Sequence, residues 1–300
     1  MASPTDLLYR WAVAASMRAL GAHAVRFRVG DSVLKVWRLG PPDGEPWVLL
    51  HGLGSSALAW GPLLKRLLAG PADRPARRRL IVPELSARGG SQVPGGWLAV
   101  LDGVPLVADL IRQQCPGRQA VVAGNSLGGW LALRLAIAHP ELLSRLVLLS
   151  AGGYRDQDWD RIERSIRVVD LAGAEELIDR MFARPPLPRR LLRHAFRHTF
   201  TSDGVAAALD KLEESQALRD DDLARIAVPT ALVWGEHDGI FEVEVADRMA
   251  AALPHPRVYR LAAAGHIPHW EDPAAVAAAI EDFCHRCKPP EDPRCRPPSS

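Results

Sequence analysis

Short apolar runs alternate with helix-length segments along most of the chain. Eight runs have the length and composition of buried strands, among them WVLLHG, AVVAGNS and TALVWGEHD. The first two, AVRFRV and VLKVWRL, have no helical segment between them and predict a hairpin. The alternation that follows is typical of parallel strands connected by helices. The sequence therefore predicts an α/β fold with a mostly parallel, eight-stranded sheet flanked by helices.

One segment breaks this alternation. Residues 154–222 show helical patterning and no convincing strand, which predicts a helical cap inserted after strand 6, at the end of the sheet where ligands bind. A helical decoration without a role in substrate choice is the alternative. The core is then expected at residues 25–153 and 223–285, with an N-terminal amphipathic helix at 1–24 and a disordered tail at 286–300.

Composition and charge exclude several classes of protein. The 300 residues are 48% hydrophobic and 24% charged, as in a folded globular protein. With 37 basic and 35 acidic residues the net charge is only +2, so a nucleic-acid partner is not expected. Four cysteines are too few for a disulfide framework, which favours a reducing, cytoplasmic location. No apolar run approaches the roughly 20 residues that span a bilayer.

The two termini raise separate questions. In the N-terminal helix Leu7, Leu8 and Trp11 lie on or near one face, with Ala15 and Leu20, and we expect this face to pack on the domain. Contact with a membrane surface is the less favoured alternative. In the tail, Cys284, His285, Cys287 and Cys295 could form a metal or redox site, but a second pair of spaced ligands is missing. We expect no metal and no cofactor.

The stretch VVAGNSLGGW places Ser126 where a buried strand ends and a helix begins. Gly124 and Gly128 flank it at two residues on either side, in the G-x-S-x-G pattern of a nucleophile elbow. Such a turn exposes the serine hydroxyl and directs helix N–H groups toward negative charge. An ordinary glycine-rich turn is the alternative interpretation.

A serine nucleophile needs a general base and a carboxylate that orients it. TALVWGEHD ends one predicted strand at Asp238, and His266 follows another, RVYRLAAAGH. The chain order Ser126, Asp238, His266 is that of the elbow and its partners. Glu236 and His237, beside Asp238, and His269, close to His266, remain alternatives.

An oxyanion hole requires two backbone donors. The elbow provides the N–H of Leu127, and the loop in WVLLHGLGSS provides that of Leu53. We expect His51 in this loop to hold it by hydrogen bonds, with direct participation in catalysis as the alternative.

Taken together, these motifs resemble the α/β-hydrolase fold superfamily, in its cap-bearing subgroup. The matching pieces are HGLGSS, GNSLGG, HPELLSRLVLLSA, VPTALVWGEHD and AGHIPHWEDP, between about residues 25 and 285. One departure is PELSARGGS, where the family more often has Asp, Pro and Gly at the positions of Glu84, Ser86 and Ala87. Haloalkane dehalogenases and epoxide hydrolases of this fold carry Asp at the nucleophile position, so Ser126 implies acyl chemistry.

A narrower resemblance points to C–C bond hydrolases that split ring-cleavage diketones. Asn125 before the serine and Trp270 with Glu271 after the histidine are similar to those enzymes, whereas Ile267 stands where they usually have Trp. Asn125, Ile267 and Trp270 are therefore candidate substrate-binding residues. Their carboxylate-binding cap arginine falls near Ala195, which Arg193 and Arg197 flank, so these two arginines are candidates for that role. They belong to a stretch of six arginines from 180 to 197 that contains no acidic residue. A solvated basic face is the alternative for these arginines.

The sequence therefore predicts a serine hydrolase that cleaves a small-molecule carboxylic ester through an acyl-enzyme. C–C bond hydrolysis is the alternative within enzymes. A receptor-like protein that binds a ligand in the same pocket is the alternative from another class.

Overall fold

The structure, a computed structural model, describes residues 4–70, 77–155, 159–185, 188–212 and 214–287. Residues 288–300 of the predicted tail, with Cys295, lie outside these ranges. Within the described residues Cys115, Cys284 and Cys287 are free thiols, and no group of three or more His, Cys, Asp or Glu side chains could hold a metal ion.

Eight strands form one sheet in the order β1-β2-β4-β3-β5-β6-β7-β8. The β1–β2 hairpin and the β2–β4 pair are antiparallel, and all other pairs are parallel. The predicted fold class, with eight mostly parallel strands, is thus confirmed. The strands are β1 (His23–Val29), β2 (Ser32–Leu39), β3 (Glu45–Leu50), β4 (Arg78–Pro83), β5 (Ala120–Ser126), β6 (Leu143–Ala151), β7 (Thr230–Gly235) and β8 (Pro256–Leu261).

Helices cover both faces of this sheet. Because successive strand residues point to opposite faces, Val48 and Leu50 of β3 pack on one side, and Trp47 and Leu49 on the other. The helices are α1 (Pro4–Ala19), α2 (Gly61–Ala69), α3 (Val100–Gln114), α4 (Leu127–Ala138), α5 (Trp159–Ile166), α6 (Leu171–Met181), α7 (Arg189–Phe200), α8 (Asp203–Leu209), α9 (Asp220–Leu223), α10 (Glu244–Ala252), α11 (Pro268–Glu271) and α12 (Pro273–Arg286). Helices α5 to α9 lie between β6 and β7, in the segment predicted as a cap.

Helix α1 packs on the domain through a different face from the one predicted. Val13 and Met17 are fully buried, whereas Leu7, Leu8 and Trp11 are 55%, 64% and 67% exposed. The predicted packing face is therefore wrong.

Hydrogen bonds account for this orientation of α1. The Tyr9 hydroxyl donates to Ser56 Oγ at 2.8 Å, and the Arg10 guanidinium donates to the Ala87 and Arg88 carbonyls. Tyr9, Val13 and Met17 follow one another at four-residue spacing, so they form a second stripe that competes with the stripe of Leu7, Leu8 and Trp11.

Across the described residues, none of the helices is both long and apolar enough to span a membrane.

Candidate active site

Ser126 is the last residue of β5 and directly precedes α4. Its backbone has φ 55° and ψ −120°, a left-handed conformation that is strained for a residue with a Cβ. Such strain costs on the order of 1–3 kcal/mol and persists only where the surrounding packing enforces it. The turn places the Ser126 side chain in the wall of a cavity rather than in the packed sheet.

The flanking glycines allow α4 to approach the ends of two strands, β5 and β3, at this turn. A Cβ on Gly124 would lie 2.2 Å from the Gly128 carbonyl oxygen, and one on Gly128 would lie 2.2 Å from the Leu50 oxygen. Backbone atoms occupy both places, so no side-chain movement would relieve the clash. The spacing of the motif thus reflects the geometry of the turn.

Asp238 and His266 come together at the ends of β7 and β8. Both are buried, and His266 Nδ1 lies 3.1 Å from Asp238 Oδ1 and 3.0 Å from Oδ2. The Ile240 and Phe241 N–H groups donate to Asp238 Oδ1 at 2.9 and 3.0 Å and fix the carboxylate. Because Nδ1 faces a carboxylate it carries the ring hydrogen, which leaves Nε2 able to accept a proton.

Glu236, His237 and His269, the alternatives to Asp238 and His266, lie in different environments. Glu236 and His237 are exposed. The His269 ring is fully buried and stacks on Trp60 with ring centroids 4.3 Å apart. Burial lowers the pKa of His269 to about 3, so it stays neutral.

Ser126 and His266 line one apolar cavity, called here the inner cavity, together with Leu53 and Leu127. Leu127 is the first residue of α4, where backbone N–H groups have no partner within the helix. The described lining contains no lysine, arginine or carboxylate. Much of it comes from the segment between β6 and β7, including Trp159, Ile162, Ile166, Leu177, Met181 and Phe200.

His51 holds the loop that carries Leu53. The Leu85 N–H donates to His51 Nε2 at 3.0 Å, so the ring hydrogen is on Nδ1, which lies 3.0 Å from the Gly52 oxygen. The side chain is fully buried, and burial lowers its pKa to about 4. This geometry agrees with the predicted role of His51 in holding the loop.

Glu84 lies beneath the same loop, at the position where the sequence departs from the family pattern. The fully buried carboxylate accepts from Trp37 Nε1 at 2.9 Å and from the Ala57 N–H at 3.2 Å. Its Oε2 is 3.7 Å from His51 Nε2. Burial raises the pKa of Glu84 to about 7.

Backbone hydrogen bonds join the end of α6 to both loops that carry Asp238 and His266. The Arg180 oxygen accepts from the Gly239 N–H, and the Met181 oxygen accepts from the His266 N–H, both at 2.8 Å. The segment 180–184 is therefore attached directly to the two loops.

Glu271 strengthens this attachment through its side chain. One carboxylate oxygen accepts from the Ala183 and Arg184 N–H groups at 2.7 and 3.2 Å, and the other accepts from the Gly265 N–H at 2.8 Å. In the sequence Glu271 stands out only through a resemblance, because its partners are backbone N–H groups, which leave no residue pattern.

Three of the predicted substrate-binding residues lie outside the lining of the inner cavity. Asn125 is buried, and its Nδ2 donates to the Leu149 and His266 oxygens, both at 3.0 Å, so it connects β6 to the histidine loop. Arg193 lies 3.6 Å from Glu175, and Arg197 is exposed. Neither arginine lines the inner cavity.

Ile267 and Trp270 line a second, larger space, the outer groove. Helix α7 contributes Leu192, Ala195 and Phe196 to it, at the positions between the arginines. The two spaces adjoin, because Leu53, Met181 and Phe200 line both.

Comparison with known proteins identifies the family of this chain. The family model described as "Alpha/beta hydrolase family" matches residues 47–279. The chain belongs to the alpha/beta hydrolase family. This hydrolase is 30% identical over 258 residues to the pimeloyl-[acyl-carrier protein] methyl ester esterase of Aromatoleum aromaticum, which covers 78% of this chain and 96% of the relative.

The chain is also similar to a second hydrolase and to a solved phospholipase structure. The 2-hydroxy-6-oxononadienedioate/2-hydroxy-6-oxononatrienedioate hydrolase of Cupriavidus pinatubonensis is 26% identical over 268 residues, 80% of this hydrolase and 86% of that one. Among solved structures, a membrane phospholipase A described as a bacterial virulence factor superposes with a TM-score of 0.78 at 23% identity, covering 94% of this chain and 92% of the other. At that identity the likeness concerns the fold alone.

The buried Glu84 predicts how stability depends on pH. Its folded-state pKa of about 7 lies above the unfolded value of about 4.5, so the folded state binds the proton more tightly. The stabilisation that this proton gives is fully present below about pH 4.5 and is lost as the pH rises through about 7. The total loss is about 3 kcal/mol of the free energy of unfolding. Glu84→Gln stays neutral, so between about pH 5 and 8 its free energy of unfolding should fall by less than that of the wild type, measured by urea titration. Exposed Glu236→Gln should follow the wild type, and parallel pH curves for all three proteins would contradict the burial effect.

Glu271 predicts a local change in amide protection. In Glu271→Gln one carboxylate oxygen becomes an NH₂ group that cannot accept, so some N–H groups of residues 183, 184 and 265 lose their acceptor. Hydrogen–deuterium exchange should accelerate in peptides covering 180–185 and 263–267. Asp272→Asn, which alters the N-terminal cap of α12 at Ala275, serves as the control and should leave both peptides protected. Unchanged exchange in Glu271→Gln would refute this role.

Proposed function

We propose that this hydrolase cleaves a carboxylic ester by forming an acyl-enzyme on Ser126. The proposal rests on one observation above all: a serine held at a strained strand-to-helix turn shares an apolar cavity with a histidine whose other ring nitrogen faces a buried carboxylate. A nucleophile, a general base and an orienting group within one constellation are the components that acyl transfer requires.

In the proposed reaction His266 Nε2 removes the proton from Ser126 as Oγ attacks the ester carbonyl. The N–H groups of Leu53 and Leu127 stabilise the resulting oxyanion, and Asp238 stabilises the imidazolium. His266 then donates the proton to the departing alcohol. Water, activated by the same imidazole, hydrolyses the acyl-enzyme, and Ser126 is regenerated. These steps require no metal and no cofactor.

The lining of the inner cavity supports an ester with an apolar group on at least one side of the carbonyl. Its side chains are almost all hydrophobic, and the esterase relative from Aromatoleum acts, by its name, on a methyl ester. The relative from Cupriavidus is named for a dicarboxylic substrate, which keeps C–C hydrolysis as a second candidate. The absence of a described cationic side chain from the inner cavity favours the ester.

We also propose a reducing, cytoplasmic location. Cys115, Cys284 and Cys287 are free thiols, and cysteines persist in this unpaired form in reducing compartments.

The kinetics of single and double variants test whether Ser126 and His266 act in the same step. With a short-chain p-nitrophenyl ester, Ser126→Ala and His266→Ala should each lower kcat by on the order of 10⁴-fold or more, because either change removes the concerted step. The double variant should be little worse than either single one. Additive losses, or a wild type that binds the ester without turnover as a receptor would, refute the proposal.

Asp238→Asn tests the orienting carboxylate separately. The amide can hold the wrong imidazole tautomer, so kcat should fall by up to about 10⁴-fold while the thermal unfolding midpoint changes little. Glu236→Gln is the matched control two residues earlier and should retain the wild-type rate. The assignment fails if Glu236→Gln is the more damaging change.

A further inference from the structure

We propose that the outward faces of α1 and α7 dock on an anionic phospholipid bilayer, with the outer groove opening toward the lipid. The docking surface is called here the α1–α7 face and consists of Leu7, Leu8, Trp11, Arg190, Leu191 and Arg197. That substrate enters from this side is a consequence that rests on the proposed function. The docking itself does not.

The apolar part of this face comes from α1. Leu7, Leu8 and Trp11 are each more than half exposed, on a helix whose opposite side is fixed by buried Val13 and Met17. The helix therefore cannot rotate to bury the three side chains without losing the core contacts of the other two. Tryptophan and leucine on one side of a surface helix are the side chains that insert at the boundary between head groups and acyl chains.

Helix α7 lies beside α1, and side-chain contacts join the two helices. His198 Nε2 is 3.8 Å from Asp6 Oδ1. The Arg88 side chain joins the two helices, because its Nε lies 3.5 Å from Asp6, its guanidinium covers the Tyr9 ring at 4.1 Å, and it donates to the Thr199 hydroxyl. Leu191 adds an apolar side chain of α7 that is 58% exposed.

The charge of α7 decides which kind of surface fits. From Arg189 to Phe200 the helix carries four arginines and two histidines and no acidic residue. Arg189 and Arg193 form ion pairs with carboxylates of α6. Arg190 and Arg197 are exposed, and no carboxylate of the described residues lies within 4.0 Å of either. Exposed cations beside inserted apolar side chains match a bilayer with anionic head groups.

The outer groove lies between this face and the inner cavity. Tyr9 of α1 and Leu192, Ala195 and Phe196 of α7 line the groove, which is mostly apolar. Leu53, Met181 and Phe200 line both the groove and the inner cavity, so hydrophobic side chains extend from one to the other. An amphiphilic ester could thus pass from the bilayer to Ser126 along hydrophobic side chains. A protein partner would gain nothing from this continuity, which is why we favour a lipid surface.

Vesicle sedimentation tests the docking without any hydrolysis. Full-length Ser126→Ala protein is mixed with vesicles of equimolar phosphatidylglycerol and phosphatidylcholine, or of phosphatidylcholine alone. We expect binding to the anionic vesicles, at least about tenfold weaker binding to the neutral ones, and a similar loss in Leu8→Ser/Trp11→Ser. Arg190→Gln/Arg197→Gln should weaken binding to the anionic vesicles only. Leu101→Ser/Val258→Ser, which changes exposed apolar residues outside the face, should bind like the parent.

The outcomes separate this proposal from the proposed function. No binding to anionic vesicles, equal binding to neutral ones, or binding that is insensitive to Leu8→Ser/Trp11→Ser would overturn the docking. So would concentration-dependent dimerisation abolished by the same two substitutions. With Ser126 intact, Leu8→Ser/Trp11→Ser should hydrolyse a soluble p-nitrophenyl ester at the wild-type rate but a vesicle-embedded ester at least about tenfold more slowly. Failure of the wild type on the soluble ester would refute the proposed function and leave the vesicle result standing.

Discussion

The close approach of α4 to the end of β5 is the constraint on which the site depends. A Cβ on Gly124 would lie 2.2 Å from the Gly128 oxygen of α4, and a Cβ on Gly128 would lie 2.2 Å from the Leu50 oxygen of β3, so only glycine fits at these two positions. Between them Ser126 has a positive φ, and the N-terminus of α4 lies at the wall of the inner cavity. The strain at Ser126 is supported by a core on both faces of the sheet, so the position of its hydroxyl is set by the fold rather than by a flexible loop.

A second constraint acts from above the sheet. The end of α6 bonds through its backbone to the loops of Asp238 and His266, and Glu271 adds three more acceptor contacts. The segment between β6 and β7 therefore does two things at once. It provides most of the hydrophobic lining of the inner cavity, and it holds the two loops from which the histidine and the carboxylate project. A change in this segment would alter substrate fit and loop geometry together.

The sequence was informative wherever a motif reports a local geometric need. Alternating strands and helices predicted the eight-stranded sheet, and the spacing of Gly124, Ser126 and Gly128 predicted the sharp turn. It was least informative about which side of a helix faces the domain. For α1 two apolar stripes compete, and hydrogen bonds of Tyr9 and Arg10 favour the one with Val13 and Met17. These partners are distant in sequence, so periodicity cannot reveal them.

The same limit applies to the surroundings of Asn125 and Arg193. Asn125 donates hydrogen bonds to carbonyls of β6 and of the histidine loop, and Arg193 faces a glutamate of the preceding helix. Both orientations depend on tertiary contacts, which the local sequence does not reveal.

Labelling with a fluorophosphonate, followed by peptide mapping, tests the central claim most directly, because this reagent bonds covalently to an activated serine. The account predicts one adduct, on the peptide that contains Ser126, formed at least about 10³-fold more slowly in His266→Ala. An adduct on another residue, or an equal labelling rate in His266→Ala, would contradict it.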